Sequence, residues 1–203
     1  EHSGIVSYQP VELVMTARAG TSLTELKAAL DEQNQMLAFE PPVFSDASTL
    51  GGTLATNQSG PGRPWWGSVR DHVLGVRLIN GKAEHLRFGG QVMKNVAGYD
   101  VSRLQAGAFG GLGVMSEISL KVLPKPAMQR TLVTDCSQSE ALKLMNQRAG
   151  EPKPITAATW YEGTLYTRLA GAASAVEAAA KALGGSELED AELFWSNLAN
   201  QQH

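Results

Sequence analysis

Fourteen of the 21 glycines in this 203-residue chain lie between Gly51 and Gly113, and that crowding limits what the segment can fold into. Glycine weakens helix and strand interiors, and it suits places where the backbone turns sharply or is closely approached. The middle of the chain therefore reads as tight turns and short elements, with longer elements on both flanks. Its densest run is Thr49-Leu-Gly-Gly-Thr-Leu-Ala-Thr-Asn-Gln-Ser-Gly60, where small hydroxyls and an amide join the glycines. Such a run offers backbone N–H groups and hydroxyl donors with little bulk, the chemistry of a loop that binds an anion or a phosphate ester. It is not a Walker A loop, because no Gly-Lys-Ser/Thr occurs, nor a strand-to-helix Gly-x-Gly-x-x-Gly loop. Taken alone, the run is equally compatible with a turn that binds nothing. Two more small-residue segments change the balance: Gly89-Gly90 on through Lys94-Asn95-Val96-Ala97-Gly98-Tyr99-Asp100, and Gly107 through Gly110-Gly111 to Gly113-Val114. Three such segments interleaved with strands suggest one extended ligand lying along backbone.

The flanks supply the strands and helices. Residues 11–18 read as a strand with Val11, Leu13, Met15 and Ala17 on one face. Ser22 and Glu25 form the capping-box spacing before a helix carrying Leu23, Leu26 and Leu30. Residues 36–39 return as an extended piece before Pro41-Pro42. Residues 72–79 and 83–88 around Asn80-Gly81 read as a hairpin closed by a type I′ turn. Asp100 is placed to cap a short helix with Val101 and Leu104. Residues 113–123 alternate, with Val114, Ile118, Leu120 and Val122 inward and Glu117 and Lys121 outward. Pro124-Lys-Pro126 marks a boundary, giving domains 1–126 and 127–203. The second has the order β-α-β-β-α with a possible last strand at 186–188, a ferredoxin-like split unit that buries one helix face on one sheet face. The fold class is α+β.

Composition excludes several functions. No apolar run approaches the ~20 residues of a membrane helix, and the opening residues read as the start of a strand rather than a signal peptide. The single cysteine, Cys136, excludes an internal disulfide and any zinc or iron–sulfur site held by this chain's cysteines alone. No histidine pair has metal-ligand spacing: His2 and His203 are terminal, and His72 and His85 fall in the hairpin, where a structural role is the simpler one. Net charge is −3. Residues 61–103 nevertheless hold seven Lys/Arg against three acids, +4, which leaves −7 elsewhere. Nucleic-acid binding would need a broader basic stripe with aromatic platforms; a small anionic ligand needs only a local field. Arg63, Arg70 and Lys94 are candidates to neutralise a carboxylate, or else ordinary surface charges. Trp65-Trp66 suits a ring cover, a docking surface or plain packing.

Thr49-Leu-Gly-Gly, Gly67-Ser-Val-Arg-Asp71, Lys94-Asn-Val-Ala-Gly-Tyr-Asp100 and Gly111-Leu-Gly-Val-Met-Ser-Glu117 together resemble the FAD-binding domain of the vanillyl-alcohol oxidase (PCMH-type) oxidoreductases. Within that family they are most similar to the FAD-binding subunits of glycolate oxidases. The resemblance runs through nearly the whole chain and is strongest over 40–126. It implies the second subdomain of a PCMH-type domain, a mostly antiparallel sheet with flanking helices, with FAD held between two α+β subdomains. It also implies oxidation of a small 2-hydroxy acid such as glycolate by hydride transfer to the flavin. Carried over residue by residue, Thr49, Gly51, Gly52 and Thr53 would lie along the pyrophosphate and ribityl portion. Asn57, Ser59 and Gly60 would approach the pyrophosphate or the isoalloxazine edge, Gly67 and Ser68 the flavin, and Gly113 and Val114 the adenine end. No catalytic base is identified.

Family members carry a further small subdomain, with its own glycine-rich loop, upstream of the residues matching 2–6. The expectation is that the sequence lacks that half of the cleft, so that it binds FAD weakly or not at all alone. The resemblance further implies partners: a second flavin-containing catalytic subunit and an iron–sulfur subunit, in the cytoplasm or peripheral at the inner membrane through those subunits. Two other readings stand beside this one, a structural or electron-relay subunit without substrate chemistry, and an oxidase of another 2-hydroxy acid such as D-lactate.

Overall fold

The computed structural model describes residues 2–91 and 98–202. The chain divides into two compact units, residues 1–60 with 67–125 and residues 61–66 with 126–203.

In the first unit, β1 (Ile5–Gln9) and β2 (Val14–Arg18) form a hairpin through the turn at 10–13. Val11 and Leu13 thus belong to a turn rather than to the expected strand. Leu13 takes a left-handed φ of 57°, and Val11 is almost fully exposed. Met15 and Ala17 face the core as expected. Helix α1 (Leu23–Asp31) starts where the cap spacing places it: Ser22 Oγ accepts from Glu25 N–H, and Leu23, Leu26 and Leu30 are buried. Next come β3 (Gln35–Met36) and α2 (Leu50–Thr56). The short helix α3 (Arg63–Trp66) belongs to the second unit. Helix α4 (Val69–His72) then leads into β4 (Val73–Ile79), β5 (His85–Gly89), α5 (Val101–Leu104), β6 (Val114–Lys121) and β7 (Leu123–Pro124).

The main sheet has the order β1-β2-β6-β4-β5, all neighbours antiparallel, and β3 pairs with β7. One face carries Met15, Ala17, Val76, Ile118 and Leu120 onto α1 and α2 in a core that includes Phe39, Leu50 and Leu54. At roughly 25 cal/mol per Å² of apolar surface, side chains such as Phe39 and Leu54, both fully buried, carry much of this unit's stability. The hairpin between β4 and β5 corrects the type I′ reading. Asn80 Oδ1 accepts from the N–H groups of Lys82 and Glu84, and the left-handed residue is Ala83 (φ 60°), not Gly81. A side-chain acceptor that reaches two residues ahead substitutes for a tight backbone turn. His72 ends α4, buried and tilted against Phe39, instead of opening the strand. Asp100 caps α5 through Arg103 N–H at 3.0 Å. Ile118, Leu120 and Val122 are buried, but Val114 is two-thirds exposed because it lies at the end of the ladder opposite Ile79.

In the second unit, β8 (Met128–Asp135), α6 (Gln138–Ala149), β9 (Ile155–Tyr161), β10 (Thr164–Gly171), α7 (Ala173–Leu183) and β11 (Ser186–Glu187) precede a terminal helix, α8 (Ala191–Ala199). The sheet order is β11-β8-β10-β9, in which β8 and β9 are split by β10 as a split βαβ unit requires. Val176 and Ala179 of α7 pack on Leu132 and Leu169. The opposite sheet face is covered by α8: Phe194 stacks on Tyr166 at 4.1 Å, and Trp195 Nε1 donates to Thr131 Oγ1 at 2.8 Å. Trp66 lies over the Arg168 guanidinium, and Trp65 packs against this unit's core. Of the roles open to the tryptophan pair, packing is the one the structure displays.

Candidate functional site

The site is built around α2, whose start is set by Thr49. This residue is extended (φ −116°, ψ 158°), and its Oγ1 accepts from Gly52 N–H at 3.2 Å. Leu50 N–H donates to Thr21 O (3.0 Å), Gly51 N–H to Ala19 O (2.7 Å) and Thr53 N–H to Thr49 O (3.0 Å). The expectation of bare amide donors here is corrected: the helix start is pressed against the turn between β2 and α1, whose carbonyls take the N–H groups of Leu50 and Gly51, while Thr49 itself takes those of Gly52 and Thr53. What the segment presents is small side chains and a hydroxyl. The Thr49 hydroxyl proton has no acceptor among the described residues. Thr53 is buried, with its hydroxyl turned to Thr49 O at 3.0 Å.

The helix ends on Asn57, a left-handed C-cap (φ 54°, ψ 34°) of the kind asparagine tolerates. Asn57 Oδ1 is buried and has no hydrogen-bond partner among the described residues. The next residues are tied to two other segments. Ser59 Oγ accepts from Val69 N–H at 3.2 Å, which joins the run to Gly67-Ser68. Gly107 N–H donates to Leu54 O (3.1 Å) and Phe109 N–H to Ala55 O (3.0 Å), which joins it to the third glycine segment. Gly60 is held from behind, its N–H donating to Phe39 O at 2.8 Å. Thr49 to Gly60, Gly67 to Val69 and Gly107 to Phe109 therefore form one connected cluster.

Gly113 and Val114 follow the third segment at the first rung of the β4–β6 ladder. Gly113 has φ +144°, and a Cβ there would meet Ile79 O at 2.6 Å, so glycine is a steric requirement of that rung. Within the second glycine segment, Lys94, Asn95, Val96 and Ala97 lie outside the described residues. Arg63 falls in the second unit's segment, and Arg70 is exposed on α4. The sequence reading missed the residues that brace the cluster: Ala19 and Thr21 behind α2, Phe39 and Glu40 behind Gly60, and Phe109, three-quarters exposed with φ 51°. Only the glycines opposite them signalled that something had to approach closely.

Asp71 is the titratable group fastened into the cluster. Its carboxylate accepts from Ser68 N–H at 2.8 Å and from Ser68 Oγ–H at 3.0 Å. The backbone bond is the main reason its pKa lies below the ordinary aspartate value, with the Ser68 hydroxyl bond and the nearby Arg103 guanidinium adding to it and partial burial opposing. A depressed folded pKa contributes stability above the unfolded value of about 3.9, lost as pH falls through the folded pKa. In urea unfolding, wild type is therefore expected to exceed Asp71→Asn by at most about 1 kcal/mol near neutrality, as for an exposed cap. That gap should close as the pH is lowered below the ordinary aspartate range; a gap that persisted in acid would contradict it.

Comparison with known proteins gives this geometry a context. A family model described as an FAD binding domain matches residues 1–89. The glycolate oxidase subunit GlcE of Escherichia coli is 49% identical over 201 residues, 99% of this chain and 57% of that protein. Residues 1–89 thus match an FAD binding domain, and the chain as a whole is similar to a glycolate oxidase subunit. The glycolate oxidase subunit GlcD of Bacillus subtilis is 32% identical over 64% of this chain and 27% of its own length. A D-lactate dehydrogenase of Anaerostipes hadrus is 31% identical over the same shares. Among solved structures, an alkyldihydroxyacetonephosphate synthase superposes with a TM-score of 0.76 at 18% identity, covering 98% of this chain and 45% of that one, which shows a shared fold. The chain spans 57% of GlcE and about a quarter of the other two curated relatives.

The cluster suits the family's cofactor in its donor set. Among the described residues the hydroxyl protons of Thr49 and Ser59 have no acceptor and Asn57 Oδ1 has no donor; with small residues between them, they match a ligand that mixes phosphate oxygens with N–H and O–H donors. No helix of the described residues is long and apolar enough to cross a membrane.

Proposed function

We propose that this chain supplies the FAD-binding part of a glycolate-oxidising enzyme complex, an FAD-dependent 2-hydroxy-acid oxidoreductase that converts glycolate to glyoxylate. The observation that carries the reading is the 49% identity with GlcE across 99% of the chain; the hydrogen-bonded cluster around α2 supports it. Thr49, Gly51, Gly52 and Thr53 would line the pyrophosphate and ribityl portion, with the Thr49 hydroxyl as donor and the glycines leaving room. Asn57, Ser59 and Gly60 would meet the pyrophosphate or the isoalloxazine edge, Gly67 and Ser68 the flavin, and Gly113 and Val114 the adenine end. Bound FAD would supply the hydride acceptor; this chain's residues hold and orient it. The partners would be a second flavin-containing subunit and an iron–sulfur subunit, with the complex in the cytoplasm or at the inner face of a membrane through those partners.

A second reading, flavin binding without substrate chemistry in this chain, is favoured by one observation. Among the described residues of the cluster, Asp71 is engaged by Ser68 and His72 is buried against Phe39, so no base is aimed at an open space. One experiment separates the readings. The protein is purified with its co-expressed partners, its flavin is identified after extraction, and glycolate, then D-lactate, is added without oxygen. The expected result is FAD in this chain, bleached by glycolate, with Ser59→Ala weakening FAD by roughly fivefold for one lost neutral hydrogen bond. FAD that persists unbleached would favour the second reading, bleaching by D-lactate alone would move the substrate, and absence of FAD from this chain in the complex would defeat both.

A further inference from the structure

The face of the main sheet turned away from α1 and α2 carries a charge pattern that the flavin reading does not use. Side chains alternate across a strand, so the partners of the core residues Met15, Ala17, Ile118 and Val76 are Thr16, Arg18, Glu117, Ser119 and Arg77 on this outer face. The register aligns them into two rows. Arg18 pairs with Glu117, Glu117 with Arg77, and Arg77 with Arg87, directly opposite one another across β2, β6, β4 and β5. The adjacent row runs Thr16, Ser119, Gly75, Gly89. The first row holds three guanidinium groups against one carboxylate. Arg77 Nε pairs with Glu117 Oε2 at 3.0 Å and Arg18 Nη1 donates to Ser3 O at 3.0 Å. Arg87 forms no ion pair among the described residues, although like charges placed directly opposite on neighbouring strands are destabilising.

The second row leaves a hollow. Where the glycines follow the hydroxyls, a cleft with room for about 80 Å³ opens, lined by Thr16, Ser119, Arg77, Arg87, Gly90 and Gln91 among others. Its floor is polar. Thr16 is buried, its Oγ1 lies 2.8 Å from Ser119 Oγ, and Gln91 Nε2 donates to Thr16 Oγ1 at 3.1 Å. Whichever hydroxyl donates to the other, the pair has two protons and one bond between them, so one proton is left without an acceptor among the described residues. Among the described residues, a guanidinium without an ion-pair partner and a hydroxyl proton without an acceptor share one small cleft.

We infer that this cleft binds a small oxyanion, a two-carbon carboxylate or a phosphate ion, between the Arg87 guanidinium and the Thr16–Ser119 hydroxyl pair. The room is about half of the roughly 150 Å³ that holds a benzene molecule, which suits an ion of this size on an open-sided ledge. The Glu117 carboxylate also lines the cleft, where Arg77 pairs with it at 3.0 Å, and the charge remaining on Arg87 favours an anion. The site shares no residue with the proposed flavin cluster and stands independently of that reading.

The test is an amide NMR titration of the full chain with sodium glycolate, with sodium phosphate, and with sodium chloride at matched ionic strength. The expected result is a saturable shift centred on Gly75, Gly90 and Ser119 with one or both oxyanions, the tighter one naming the ion. Arg87→Gln should weaken binding about tenfold, the loss of one charge-assisted hydrogen bond, and Ser119→Ala by a few-fold. Arg87 is exposed and its replacement leaves the core intact; Ser119→Ala gives an independent reading should Arg87→Gln perturb the strand. Non-saturating shifts that chloride reproduces, equal affinity in both variants, or shifts centred on 49–60 and 107–114 would each overturn the assignment. FAD titration of the same samples reports on the flavin cluster separately, so failure of one does not imply failure of the other.

Discussion

Gly60→Ala is expected to destabilise the first unit by about 3 kcal/mol, at the upper end of the cost of overpacking. A Cβ on residue 60 would sit 2.4 Å from Glu40 O and 2.7 Å from Glu40 Cβ. Neither atom lies at the end of a flexible side chain. The backbone at residue 40 is itself constrained, because Glu40 holds a left-handed φ of 48° and the neighbouring Phe39 is fully buried and bonded through its carbonyl to Gly60 N–H. Relief requires moving the 37–40 segment out of the core or breaking that bond. Gly81→Ala is the control: a Cβ there meets nothing within 4 Å, and a surface change of this kind stays within about 0.5 kcal/mol. Urea unfolding followed by circular dichroism compares the two. If Gly60→Ala unfolds with the midpoint of the control yet loses FAD, the glycine serves the ligand alone and the steric account is wrong.

The second large effect is expected in the other unit. Arg168 is 3% exposed, a burial that costs an isolated charge heavily. The fold compensates with the faces of Trp66 and Trp195, each 5.1 Å from the guanidinium carbon, and with Thr156, whose Oγ1 accepts from Nε at 3.1 Å and whose carbonyl accepts from Nη2 at 3.4 Å. Arg168→Ala removes both ring contacts and leaves a cavity beneath α8, and a loss of about 4 kcal/mol is expected. Arg168→Met fills much of the volume without a charge to bury, and should recover at least half of that loss, as replacements of buried charged groups by apolar ones often do. Tryptophan fluorescence during unfolding reads the change where it occurs. Equal stability of Arg168→Ala and wild type would show that the two rings hold α8 without the guanidinium.

How much of this was legible in the sequence varies by element. Ser22 and Asp100 announced helix starts because a cap is a local interaction, satisfied within three residues of itself; both accept from the amide three residues on. The Leu23, Leu26, Leu30 stripe and the strand order of the second unit were legible for a similar reason, since period and connection length are properties of the chain. Val11 and Val114 show where the same logic stops. Both fit an alternating apolar pattern, but a strand ends where its neighbours end: Val11 falls in the turn between β1 and β2, and Val114 on the end rung of its ladder opposite Ile79. Helix α8 was missed although Ala191, Phe194, Trp195 and Leu198 recur at helical spacing; the β-α-β-β-α unit already accounted for a folded domain without it, and only the sheet face that Phe194 and Trp195 cover called for a further helix.

The candidate site divides along the same line. Glycine at 51, 60 and 113 marked close approach, and the small-residue composition of 49–60 marked a ligand. What the glycines approach, Ala19, Glu40 and Ile79, lies up to tens of residues away in the chain, and no spacing rule connects them.

By itself the sequence determined the local events: caps, apolar periods, the glycine-rich segments and the motifs that tie this chain to flavin-binding proteins. Only the tertiary structure decided that the amides of Leu50 to Thr53 are already bonded while the Thr49 hydroxyl proton has no acceptor among the described residues. It alone aligned Arg18, Glu117, Arg77 and Arg87 in one row across four strands. The reason is that hydrogen-bond partners and strand register are set by cooperative packing of segments distant in the chain, where each group's neighbours are chosen by the whole sheet rather than by its own surroundings.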